Sequence, residues 1–207
     1  SGAIEAFDAD NDSVVLDTAV TVQVEDDIPV NNTGSERVVV KVNEDALTNS
    51  EDLSEGNDDA GDTKTADISY AALSTTVSVG ADEDVRFELN DDVTLTGTAV
   101  KTVGGADVTS NGDDVTYKYV AAVAGPPAVA AMIQGVATDD QGVERVVFTL
   151  ESNGNGGFTF ELNDQVDHPI ASEGGEGAGG DAELLDLDLS GAIEAFDADN
   201  DSVVLDT

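Results

Sequence analysis

The chain of 207 residues is long enough to bury a real core, as one large domain or two small ones. It carries 45 acidic against 7 basic residues, a formal charge of −38, which sets it against nucleic acid and anionic membrane surfaces and in favour of cations. Cysteine is absent, which excludes disulfide scaffolds and thiolate metal sites, and no apolar run reaches membrane-spanning length.

Residues 1–18, SGAIEAFDADNDSVVLDT, recur without a difference at 190–207. The copies begin at positions 1 and 190, a period of 189 residues, so the chain reads as one unit of a tandem array followed by the opening of the next. Inside each copy stand Asp8, Asp10 and Asp12, and again Asp197, Asp199 and Asp201, three carboxylates at alternate positions ahead of a strand-like SVVL run. Hard oxygen ligands at that spacing suit Ca2+. An EF-hand is excluded, because its sixth and twelfth positions fall on Ser13 and Ala19 instead of glycine and a bidentate glutamate. The pattern fits a strand-to-strand loop whose alternate carboxylates point the same way.

Residues 19–24 (AVTVQV) alternate as a strand, and residues 25–30 (EDDIPV) read as a linker. Pro29 restricts its conformation and donates no ladder hydrogen bond. Asp26 and Asp27 at this linker are candidate calcium ligands; the blander reading is an acidic strand end that discourages edge pairing. Residues 37–42 form the next expected strand, and the acidic stretch 43–62 reads as a loop whose Glu44 and Asp45 could complete six to eight oxygens. Short helical turns are expected near 44–53 and 128–132. Further strands are expected at 75–79, 85–89, 115–120, 143–150 and 158–162, parted by turn signals at 111–113, 139–142 and 153–157. The class is all-β, an antiparallel β-sandwich.

All seven basic residues lie between Arg37 and Arg145. Read across the repeat, the two acid-only ends join into one region, and the junction between repeats is where cations are most needed. Residues 1–29 are then terminal strands of the preceding repeat plus the linker, and 30–207 the main module, as one sandwich or two subdomains, lacking its own last strand. Residues 1–24 either fill that gap in the same molecule, the preferred arrangement, or pair with a neighbour. The glycine-rich stretch 175–180 spells a dinucleotide fingerprint without the strand and helix it needs, and reads as a loop. His168 is the one histidine, and no cysteine or nucleophile-elbow serine accompanies it, so it reads as a turn residue and the chain as no enzyme.

The order FTFELNDQVDHP at 158–169, then a loop, then LDLDLSGAIEAFDADNDSVVLDT and, across the repeat, AVTVQVEDDIPV, resembles the long tandem repeats of giant type I secreted RTX and biofilm-associated bacterial adhesins. Asn11 and Ser13 stand where that family usually has glycine or a similar turn residue, and Val166 where it has leucine. The resemblance implies an immunoglobulin-like extender module with calcium at its ends, outside the cell on the bacterial surface, spacing a ligand-binding tip from the membrane. Its partners would be neighbouring identical repeats, with no nucleic acid and no direct membrane contact, and a single repeat would be a monomer. The alternative is an adhesive module that itself binds a glycan or surface.

Overall fold

The structure is a computed structural model and describes residues 4–16, 21–48, 52–56, 60–81, 83–168 and 184–206. The glycine-rich stretch 175–180 and Pro169 lie outside these residues, as do Ala19 and Val20 of the first expected strand.

The chain opens with β1 (Glu5–Phe7) and β2 (Ser13–Val15), a hairpin in which every residue is exposed. After the linker come β3 (Val30–Asn31), a 3-10 turn at Glu44–Ala46, β4 (Thr65–Ile68) and the single helical turn α1 (Tyr70–Leu73). Ser69 caps α1 by accepting from the Ala72 N–H at 3.2 Å, the role its hydroxyl suits at a helix start. Next are β5 (Val77–Ser78), β6 (Arg86–Leu89), β7 (Lys101–Thr102) and β8 (Thr109–Ser110). The long strands β9 (Asp113–Val120), β10 (Met132–Thr138), β11 (Glu144–Ser152) and β12 (Phe158–Leu162) follow, then β13 (Leu187–Asp188), β14 (Ile193–Phe196) and β15 (Ser202–Val204).

All pairings are antiparallel. Six strands, β4-β12-β11-β10-β9-β8, form one sheet that curls into a half-barrel, and β15-β14-β6 form a second sheet. Period-two alternation builds the core: in β12, Phe158, Phe160 and Leu162 are buried while Thr159 and Glu161 are not. Phe148 and Phe160 stack with centroids 5.2 Å apart, and Tyr117 meets Phe148 edge-on at 6.4 Å. Phe87 of β6 and Ile193 and Ala195 of β14 belong to the same buried cluster, so the second sheet packs on the first.

Four segments differ from the sequence reading, the first being residues 21–24 of the strand expected at 19–24, which form no strand and join no sheet among the described residues. Met132–Thr138, where only a helical turn ending at 132 was expected, is a strand between β9 and β11. Its pattern is masked because it is buried on both faces around Gly135, and a Cβ there would lie 2.2 Å from the Phe148 ring. A register shift between Gly135 and Val136 marks a bulge at the same place. Residues 37–42, expected as a strand, run without a ladder partner among the described residues, although Val38 and Val42 pack on the core. The turn α1 carries no amphipathic pattern long enough to announce itself in the sequence.

Candidate metal centre

The loop DADND has the same local geometry in both copies. The Asp8 N–H donates to the Asp12 carbonyl at 3.0 Å and the Asp197 N–H to the Asp201 carbonyl at 3.1 Å. The first carboxylate then turns back on its own loop: Asp8 Oδ1 accepts from the Asp12 N–H at 3.0 Å, and Asp197 Oδ1 from the Asp201 N–H at 2.9 Å. Asn11 and Asn200 sit at φ 70° and 79°, the left-handed region that asparagine tolerates and that the turn demands.

Surroundings separate the copies. Asp8, Asp10 and Asp12 are exposed, and their carboxylate oxygens lie within 4.8 Å of one another. A hydrogen bond from the Asp10 side chain is the main cause holding Asp8 below the usual carboxylate range. In the second copy Asp197 is wholly buried, and Asp199 and Asp201 gather with Asp26 of the linker, again with oxygens within 4.8 Å. Sequence separation hides this meeting, since Asp26 comes from one end of the chain and Asp199 and Asp201 from the other. Contact with the Asp197 carboxyl, then burial, then the charges of Asp197, Asp26 and Asp201 push the Asp199 carboxyl above its ordinary value. Asp197 Oδ2 is buried without a hydrogen-bond partner. Such an atom is costly, and a proton held on Asp199 or a cation are two ways to satisfy it.

The linker is held beside this cluster. Asp27 Oδ2 accepts from the Ala81 N–H at 2.8 Å, and a Cβ on Gly80 would lie 1.8 Å from that oxygen, so glycine is needed for the approach. Pro29 is buried. Arg86 lies over the Phe196 ring, with Cζ 4.3 Å from its centroid, and donates to the Asp197 carbonyl at 3.2 Å.

The donor set fits calcium. Oxygens on opposite sides of that ion stand about 4.6–5.2 Å apart, which matches carboxylates gathered within 4.8 Å, and waters complete a shell of six to eight. Asp27 is engaged with the backbone, while Glu44 and Asp45 stand apart from both carboxylate groups. Glu44 Oε1 accepts from the Val166 N–H at 2.6 Å and its Oε2 lies 3.6 Å from His168 Nε2. Asp45 lies in the 3-10 turn, with its backbone 2.4 Å from where a Cβ of Gly56 would be.

The aspartates of the NDQVDHP stretch serve the fold. Asp164, 1 % exposed, takes hydrogen bonds from Arg145 and Ser54, and Arg145 also meets Asp113 at 2.9 Å. Asp167 accepts from Thr109 Oγ1 at 2.7 Å and from the Asn111 and Gly112 N–H groups at 3.1 and 2.8 Å, fixing the β8–β9 turn. Neither role is visible in the spacing, since both partners are remote in sequence. Comparison of the chain with family models, characterised proteins and solved structures finds no match.

Proposed function

We propose that the chain is an immunoglobulin-like sandwich repeat that spaces the ligand-binding region of a giant type I secreted bacterial adhesin away from the cell, and that Ca2+ stiffens its junctions. The observation that carries this reading is the convergence of Asp26 with Asp199 and Asp201, with the buried Asp197 carboxyl against Asp199. Asp26 belongs to the segment joining one repeat to the next. An ion shared between it and the β14–β15 loop removes mutual repulsion and fixes the linker on the module, which converts a swivelling connection into a set angle. Without the ion the carboxylates repel, and the linker is left to the Asp27–Ala81 hydrogen bond and the buried Pro29 alone.

At extracellular calcium levels a site with a dissociation constant of about 10⁻⁴–10⁻³ M is filled, whereas in the cytosol it is empty. Because the ion binds the folded state, it adds stability by mass action outside the cell, about 2.7 kcal/mol at a hundredfold excess over the dissociation constant. Calcium is therefore expected to raise the melting temperature of this chain by several degrees, and Asp26→Asn or Asp199→Asn to remove most of that rise. Equal melts in calcium and in chelator would sink the reading. Small-angle scattering of two joined repeats is expected to show a longer, stiffer particle in calcium than in chelator.

A further inference from the structure

A groove of about 1550 Å³ is lined by Val38 and Val42, by Leu185, Leu187 and Ile193, and by Leu205 just after β15. We propose that this groove seats a strand of sequence Thr21–Val24 supplied by a second copy of the repeat. The inference stands on packing and repetition and is independent of the metal reading.

The groove has on its wall a segment of strand-like sequence that joins no sheet among the described residues. Residues 37–42 lay Val38 and Val42 against the core, yet their backbone forms no ladder with any described residue. Unpaired edge groups of that kind invite another strand. The chain also contains a strand without a seat. Val22 and Val24 are 80 % and 89 % exposed, alternate with Thr21 and Gln23, and are not paired to any described residue. A period-two segment with one apolar face is built to cover such a groove.

Continuity ties the two together. Leu205 is buried at the groove, and in a tandem array the residues after Thr207 are AVTVQV, because those follow the identical Thr18 in the first copy. The next copy of the strand therefore starts at the groove itself. Asn31, also on the groove, donates from Nδ2 to the Val204 carbonyl at 2.8 Å, while its buried Oδ1 has no partner. In an array each repeat is thus completed by the opening of the one after it, and between separate 207-residue chains by residues 21–24 of a second copy.

Sedimentation velocity of the full chain, from low micromolar to near-millimolar concentration, tests this in excess calcium and again in chelator. Concentration-dependent association is expected for the wild type and its loss for the double variant Val22→Asp, Val24→Asp, whose altered residues are exposed and leave the core intact. A synthetic AVTVQVEDDIP peptide is expected to raise the melting temperature of that variant by several degrees, and a scrambled peptide to leave it unmoved. A wild type that stays monomeric overturns the proposal. So does a monomeric wild type that melts above the double variant, since the molecule's own strand then fills the groove. A variant blind to the peptide overturns it as well.

Discussion

Asp8 and Asp197 carry one local sequence into two environments. The backbone turn, the back-bonded first carboxylate and the left-handed asparagine are the same in both, so this much of the site is legible in DADND itself. Burial of Asp197 and the arrival of Asp26 come from tertiary packing and leave no trace in the spacing. The linkage is opposite to that of an ordinary ion-paired carboxylate. Asp199 is raised by Asp197 and its neighbours, so the folded state holds that proton more tightly than the unfolded chain. Without calcium, stability falls as pH climbs from the unfolded value of 3.8 through the raised folded one, and the deficit persists at neutral pH. Asp167 runs the other way: burial opposes ionisation, but Thr109, the turn amides and Arg145 outweigh it and lower its value. Its contribution is present above 3.8 and is lost as pH falls through the folded value. Asp199→Asn is therefore expected to melt above wild type in chelator at neutral pH and below it in calcium. Calorimetry in the two buffers reads the crossover, and carboxyl-carbon NMR should place the Asp199 titration above the ordinary range in chelator and lower once calcium is added.

Among the elements, β9 and β12 declared themselves by the alternation of VTYKY and FTFEL, and β11 by its apolar VVFTL run, in which adjacent Val147 and Phe148 are both buried. β10 did not, because its central position needs a glycine and its neighbours are buried on both faces. Gly135→Ala is expected to destabilise by about 1–3 kcal/mol, the usual penalty for overpacking a filled core, read as a lower denaturation midpoint at unchanged slope. The cost follows from a Cβ directed into the wholly buried Phe148 ring. Asp164, fully interior, ties β11 to the loop after β12 through Arg145. Replacing either partner strands the other charge, so Asp164→Ala or Arg145→Met is expected to lose about 3–5 kcal/mol by the same measurement. The sequence shows the carboxylate and the guanidinium but not that they meet. Residues 37–42 make the complementary point: a strand pattern states readiness to pair, and pairing waits for a partner.

At the scale of the molecule, the eighteen-residue identity and the acid-only ends were readable directly, because identity and charge are properties of the string. The meeting of Asp26 with Asp199 and Asp201 was not, since it requires residues from the two ends of the chain to come together. Most of the −38 charge is exposed and solvated; the few carboxylates that packing forces into company are where a divalent ion changes the energy most. The cluster also sets a path for mechanical tension. In the proposed array a pull would reach each module through the linker, and the first ladder it would meet is the two-residue pairing of β3 with β5, which is weak against peeling. An ion joining Asp26 to Asp199 and Asp201 diverts that pull to β14, which is paired on both sides and rooted in the core by Ile193 and Ala195. Current, drag or a tethered surface would then strain the molecule at a strand laddered on both sides, and in the proposed array calcium would act as a mechanical fuse rating for every repeat in the row.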